Sequence, residues 1–280
     1  MLIHLFRKCN QRCVFCSYPV EEGGKETPGL KSWLKEISGM PRALVQVSGG
    51  EPLLAGFEEL LKVIAFCVKT GRRVELQSNG IAAAELTSEQ LKTLIKALKA
   101  ADGYFNINFP ADNAALDYKI TRTKGAFAAR KKAVAKLLLL GAKVRLTHVI
   151  CSPNYKNTAK YVAFATRFKG LGWVQFSFIK GLGRAEGRKF IPKFSDAAPY
   201  LLKALDLCGR KKLKCDVDHI PPCFLGAHWA KNVDIVKMRE GRKGPHLEEK
   251  KKVSECKGCK FGKLCPGPRI DYIAAHGTLK

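Results

Sequence analysis

Leu2-Ile3-His4-Leu5-Phe6-Arg7-Lys8-Cys9-Asn10-Gln11-Arg12-Cys13-Val14-Phe15-Cys16 opens the chain. Residues 2–6 read as a β-strand, apolar and free of turn formers. The rest is a short loop carrying three cysteines in a C-x3-C-x2-C spacing. Three thiols so close together cannot all find local disulfide partners. Tetrahedral zinc takes four ligands, usually from two C-x2-C pairs. No fourth ligand is near, because His4 belongs to the strand. Three thiolates fit a [4Fe–4S] cluster that leaves one iron open to a substrate or cofactor.

The pattern of a strand followed by a polar signal recurs further along. Residues 43–47 read as a strand ending in Ser48-Gly49-Gly50-Glu51-Pro52, and residues 74–77 as one ending in Ser78-Asn79-Gly80. Further strands are expected at 103–109, 143–150 and 173–179. Helical stripes fall at 30–37, 57–69, 88–99, 125–140, 157–168 and 196–207, with Ser88 as the cap of the third. Strand and helix thus alternate about six times. That order predicts an α/β fold with a parallel sheet, curled by right-handed crossovers into a partial (β/α)6 TIM-like barrel. Ligands of such folds bind at the carboxyl ends of the strands. The three cysteines, Gly-Gly-Glu-Pro and Ser-Asn-Gly all fall there, so they converge on one site. The barrel is expected over residues 1–210. Residues 211–280 are rich in Lys, Gly and Pro and read as a small extension that a metal must hold together.

Composition narrows the class. Apolar residues make up 46% of the 280, which excludes wholesale disorder. No apolar run approaches the roughly 18–20 residues that span a bilayer, and residues 1–20 do not resemble a signal peptide. A soluble cytoplasmic protein with no membrane partner is expected. Eleven cysteines, an odd and clustered set, then read as metal or redox ligands rather than disulfides. The formal charge of +26 is spread along the whole chain. It fits either a generally basic proteome or high-salt cytoplasm, or a polyanionic partner such as RNA or an acidic peptide. Nucleic acid is possible but not favoured, because readers of it concentrate their charge in one patch.

C-x3-C-x2-C after the first strand, with Phe15 between two cysteines and Gly-Gly-Glu-Pro after the second strand, resembles the radical S-adenosylmethionine (radical SAM) superfamily. The resemblance covers residues 1 to about 185 in order and spacing. It implies that Cys9, Cys13 and Cys16 hold a [4Fe–4S] cluster whose open iron chelates S-adenosylmethionine. One electron from the cluster would cleave SAM to a 5′-deoxyadenosyl radical, which abstracts hydrogen from a substrate. The resemblance also implies an electron donor such as ferredoxin or flavodoxin. By the same likeness Gly49, Gly50 and Glu51 contact the methionyl ammonium, Ser78 and Asn79 hold the carboxylate or ribose, and Phe15 lies beside the adenine. Asp117 to Arg122, before Gly125-Ala126-Phe127, is similar to a stretch in peptide-modifying members that makes Arg122 a candidate for the SAM carboxylate. Gly181-Leu182-Gly183-Arg184-Ala185 is similar to a signature of members with a C-terminal cluster domain. The fifth strand departs from the family, lacking its Gly-x-Ile-x-Gly element. His148 there is expected in the core rather than in the cavity.

Cys256, Cys259 and Cys265 form a second set, C-x2-C-x5-C, with Cys223 about thirty residues earlier. Four such thiols suit structural zinc as well as a cluster. After a radical SAM barrel the spacing resembles the SPASM and shorter twitch auxiliary domains. Where a full SPASM domain carries a further cysteine stands Arg269, so the resemblance implies the one-cluster form. Cys223, Cys256, Cys259 and Cys265 are then the three or four ligands of an auxiliary [4Fe–4S] cluster. Cys208 or Cys215 could replace Cys223 or be small core residues; Cys67 and Cys151 read as core.

The expectation is a radical SAM oxidoreductase acting on a peptide or protein side chain in maturation or cross-linking. The alternatives are a nucleotide or cofactor precursor, RNA, or a non-enzymatic zinc-binding module. No catalytic acid or base is assigned; Asp216, Asp218 and His219, just before Cys223, read either as groups that manage a substrate proton or as surface charge and a turn.

Overall fold

Burial alternates along the outer strands of the sheet and covers both faces of the central ones, and the two faces differ in kind. The computed structural model describes residues 1–19, 29–39, 43–241 and 244–279. In chain order the elements are β1 (Leu2–Phe6), α1 (Leu30–Gly39), β2 (Leu44–Gly49), α2 (Phe57–Lys69), β3 (Arg73–Ser78), α3 (Ile81–Glu85), α4 (Ser88–Ala100), β4 (Tyr104–Asn108), α5 (Ala114–Thr121), α6 (Ala126–Leu139), β5 (Val144–Ile150), α7 (Thr158–Ala165), β6 (Trp173–Phe178), α8 (Phe194–Arg210), β7 (Lys214–Asp218), α9 (Val233–Arg239), α10 (Pro245–Glu248) and α11 (Ile270–His276). Among the described residues, seven parallel strands form one sheet in the order β1 to β7. It is an open sheet, the partial barrel expected from the alternation.

The face covered by helices is apolar. Ile3, Val45, Val47, Val74, Leu76, Ile107, Leu146, Val174, Phe176 and Val217 are all buried to within 1% exposure. His148 lies on this face, stacked on Tyr161 of α7 with 4.2 Å between ring centres. It is a core residue, and burial holds its pKa down to about 3.

The concave face is polar. Glu75 accepts from Gln46 (3.2 Å), Gln77 (2.9 Å), Tyr104 (2.7 Å), Asn106 (2.7 Å) and Arg145 (2.6 Å). The Arg145 guanidinium lies 5.2 Å from the Tyr104 ring centre and 4.9 Å from that of Trp173. Trp173 in turn donates to Asp216 at 2.7 Å. Register puts Gln46, Glu75 and Tyr104 on one level and Gln77, Asn106, Arg145 and Trp173 on the next. They plug the amino-terminal end of the barrel, so the carboxyl end is where a ligand has room.

The sheet departs from the sequence reading by a seventh strand. Its sequence, Lys214-Cys215-Asp216-Val217-Asp218, is short and sits in a Lys-rich stretch, so its period is masked by charge. It pairs with β6 through five residues, from Trp173↔Lys214 to Ser177↔Asp218. The sheet therefore crosses residue 210. A second small difference is the cap of α4, which is Thr87 rather than Ser88. Thr87 and Gln90 form a reciprocal capping box.

The segment after β7 is built onto the sheet. Tyr272 of α11 stacks on Phe194 at 3.7 Å and accepts the Phe194 N–H at 3.0 Å. Arg269, 3% exposed, pairs with Glu249 and Asp271, and Asp271 accepts the N–H of Gly181 at 2.5 Å. The residue that replaces a cysteine of the longer SPASM pattern is thus an ionic tie between extension and sheet end.

Candidate functional site

The three strand-end signals do meet. β1 changes register between His4 and Phe6, which brings Phe6 opposite Gly49. The Gly50 N–H then donates to Phe6 O at 2.6 Å and the Glu51 N–H to Lys8 O at 2.9 Å. A Cβ on Gly49 would stand 2.2 Å from Phe6 O, and one on Gly50 2.1 Å from Lys8 O. Gly49 also has φ +124°, a region that favours glycine. The two glycines therefore make room first for the chain itself, where it leaves β1 for the cysteine loop.

Glu51 ties the second signal to the third. Its carboxylate is fully buried and accepts from Ser78 Oγ (2.9 Å), Asn79 N (2.7 Å) and Leu53 N (3.2 Å). Burial pushes its pKa up to about 7, against the pull of those hydrogen bonds and of Arg130. Asn79 reaches the cysteine loop directly. Its Nδ2 donates to Asn10 Oδ1 at 2.7 Å and lies 3.7 Å from Cys9 Sγ. Its carbonyl accepts from Arg130 Nε at 2.9 Å.

Two other elements hold the loop. The N–H groups of Arg12 and Val14 donate to Thr121 O and Ile120 O at the end of α5, at 3.1 and 2.9 Å. Cys16 O accepts the Arg184 N–H at 3.0 Å, from the loop after β6. Cys9, Cys13 and Cys16 are all half-buried. Burial raises the thiol pKa of Cys9, and that of Cys13 to about 12, with Arg130 opposing the latter. Binding a metal cluster would draw the protons off these thiols.

Arg130 is the residue that sequence reasoning missed. It is fully buried, donates to Asp117 Oδ1 at 2.5 Å, and keeps Nη2 without a partner. The signal was a charge on the buried stripe of α6, where Ala126, Ala133, Val134 and Leu137 are its companions. Arg122, the predicted arginine, is exposed at the left-handed C-cap of α5, φ 54°. Phe15 is partly buried against the core. Gln11 is also buried, with Oε1 3.6 Å from Cys13 Sγ and Nε2 unpartnered. Three thiols in one loop, beside orphaned buried donors, fit a cluster held by three thiolates with room for a polar ligand beside it.

The second cysteine set also converges. Cys223, Cys256, Cys259 and Cys265 line one cavity of about 320 Å³ with Pro221, Pro222 and Phe261. Cys223 is the exposed member. Burial and the three neighbouring cysteines push its thiol pKa up to about 11. The Gly267 N–H points to Cys265 Sγ at 3.3 Å. Among the described residues, no three Cys, His, Asp or Glu groups close around a single metal ion. Cys208 and Cys215 are buried against one another and do not line this cavity; Cys67 and Cys151 are buried in the core. Of the acid–base candidates, Asp216 is tied to Trp173, while Asp218 and His219 stand together at the end of β7. His219 has φ 65°, a strained backbone for a non-glycine residue.

The sequence profile of the radical SAM superfamily matches residues 3–162, more than half of the chain. The chain belongs to the radical SAM superfamily. This is a superfamily of enzymes whose members use SAM and a [4Fe–4S] cluster. Among curated relatives, residues of this radical SAM chain are 37% identical over 86 positions to the 7-carboxy-7-deazaguanine synthase of Hyperthermus butylicus, covering 30% of this chain and 36% of that protein. They are 25% identical over 171 positions to the PqqA peptide cyclase of Methylorubrum populi, covering 60% and 42%. The alignments thus span well under half the length of these two relatives. Solved structures of similar fold include Streptococcus suis SuiB bound to S-adenosylmethionine, with TM-score 0.69, 13% identity, and 99% of this chain and 74% of that one covered. Another is anSMEcpe with bound AdoMet and the Kp18Cys peptide, with TM-score 0.68, 14% identity, and 97% and 89% covered. Among the described residues, no helix is long and apolar enough to cross a membrane.

Proposed function

We propose that this chain is a radical SAM oxidoreductase that modifies a peptide side chain, with an auxiliary [4Fe–4S] cluster on Cys223, Cys256, Cys259 and Cys265. The observation that carries the reading is the meeting of Cys223 with the sequence-remote trio Cys256, Cys259 and Cys265 in one cavity beside a barrel whose own cysteine loop is separately built. When bound, SAM and its cluster supply hydrogen-atom abstraction from an unactivated carbon. The residues of the chain do the rest. Cys9, Cys13 and Cys16 hold the first cluster, and Asn79 and Arg130 fix the loop that carries them. Gly49, Gly50, Glu51, Ser78 and Asn79 offer the polar strand ends against which SAM would lie, with Phe15 beside its base. Asp218 and His219 lie at the same carboxyl edge of the sheet, where a substrate proton could be taken up. A peptide substrate is supported by the PqqA peptide cyclase relatives and by the peptide-bound structures of similar fold.

Anaerobically reconstituted protein is expected to hold about eight iron atoms per chain, in two four-iron clusters. Cys13→Ser should retain half of this iron and lose SAM cleavage. Cys259→Ser should lose the other half and keep SAM cleavage while losing product. Iron content unchanged by Cys259→Ser, or zinc in place of iron at the second site, would refute the auxiliary assignment. The match to 7-carboxy-7-deazaguanine synthase favours a second reading, a small heterocyclic substrate. Deuterium transfer from labelled substrate into 5′-deoxyadenosine decides between them. Transfer from peptides only supports the first reading, and transfer from purine precursors only supports the second.

A further inference from the structure

A cleft of about 690 Å³, open to solvent, lies on the carboxyl rim of the sheet. Its walls come from three places. Ser152 and Tyr155 follow β5, Arg188 and Lys193 follow β6, and His276 comes from α11 of the extension. The loop after β6 is the one that holds the first cysteine loop through the Arg184 N–H and Cys16 O. A Cβ on Gly183 of that loop would stand 2.5 Å from the same carbonyl. The cleft and the cysteine site therefore share one piece of backbone.

The charge of the cleft is unbalanced. Arg188 and Lys193 have no ion pair among the described residues. Lys193 is the N-cap residue of α8 and makes no side-chain cap. The dipole and the unsatisfied N–H groups of a helix start favour an anion there, so this cation is held against its local field. Asp196 in the first turn offsets one of the positive charges. His276 Nε2 lies 3.1 Å from Ile191 O, while its Nδ1 is buried without a partner. The floor is apolar, made by Ile191 and Pro192, both buried.

We propose that this cleft is the docking subsite for an acidic segment of the peptide substrate, with Asp or Glu carboxylates seated on Arg188 and Lys193. The proposal rests on the peptide reading above. Two cations flanked by the hydroxyls of Ser152 and Tyr155 over an apolar floor match one or two carboxylate side chains in size. A nucleic acid would instead draw its affinity from a track of many cations along the phosphates. The overall charge of +26 draws an acidic chain in from a distance, and the cleft supplies a place for it.

The test uses the cluster-loaded 280-residue chain and a fluorescein-labelled (Glu-Ala)5 peptide, with (Gln-Ala)5 and an RNA decamer for comparison. Fluorescence anisotropy at physiological salt should show binding of the Glu peptide and little of the Gln peptide. The double variant Arg188→Ser/Lys193→Ser should weaken binding tenfold or more. The double variant Lys92→Ser/Lys96→Ser, the same charge change on the exposed face of α4, should leave it within twofold. Circular dichroism checks that both are folded. No binding by the wild type, equal loss in the two double variants, or tighter binding of the RNA in the same cleft would each overturn the proposal. Binding that survives while no peptide is ever modified would sink the proposed activity and leave the cleft standing. Modification of peptides with no dependence on Arg188 and Lys193 would do the reverse.

Discussion

Gly50 shows how little freedom a single position has here. A methyl group in its place would meet Lys8 O at 2.1 Å and Arg7 O at 2.6 Å, both backbone atoms. Neither atom can turn aside as a side chain would. Gly50→Ala is expected to destabilise the fold by about 1–3 kcal/mol and to displace the cysteine loop. Thermal unfolding and iron content check this; a variant with wild-type melting and full iron would contradict it. Glu51 gives a second prediction at the same scale. Burial raises its pKa from 4.5 to about 7, so the fold favours the protonated form. Its contribution is complete below about pH 4.5 and is lost as pH rises through about 7, about 3 kcal/mol in all. Glu51→Gln should therefore flatten the wild-type decline in denaturant-measured stability across that window. A variant with the same pH slope would show that Glu51 is not buried in this way.

Between elements, the Arg130–Asp117 pair joins α6 to α5, both partners within 1% of full burial. Arg130 also reaches Asn79 at the end of β3. Removing the arginine alone leaves Asp117 buried without its counter-charge, so Arg130→Met should lose about 3–5 kcal/mol by urea unfolding. Removing both charges, in Arg130→Met/Asp117→Leu, should recover most of that stability. Iron loading at Cys9, Cys13 and Cys16 should stay impaired in the double variant, because Asn79 has lost its tie. Full recovery of both stability and iron would reduce Arg130 to a packing role. Local patterning could not reveal this pair. It showed a helix at residues 125–140 with Arg130 on the stripe of Ala126, Ala133, Val134 and Leu137, but not that Asp117 and Asn79 would meet it there.

For the molecule as a whole, β7 decides where the barrel ends. A chain stopped after Arg210 would lose β7 and leave the edge of β6 unpaired, with Val174, Phe176 and Phe178 beside it. Such an edge invites aggregation. The 1–210 fragment is expected to be insoluble or to elute as large species by size exclusion, and a fragment ending after Gly241 to behave better because β6 stays paired. A monodisperse, folded 1–210 fragment would instead support an independent barrel with a separate extension. The Arg269 tie and the Tyr272–Phe194 stack point the same way, since they knit residues 244–279 onto the sheet end.

Taken alone, the sequence determined the order of the first six strands and the helices between them, the polar signals at three strand ends, and the spacing of the two thiol sets. These are short-range facts, carried by spacing and by periods of two and 3.6 residues. Only the tertiary structure decided that the glycines of the second strand clear the path of the first, and that Glu51 is spent on Ser78 and Asn79. It also decided that Arg130 rather than Arg122 is the buried arginine, and that a charged stretch forms the seventh strand. In each case the partner lies tens of residues away. What a buried polar group bonds to is set by the need to satisfy it in its final surroundings, which no local pattern contains.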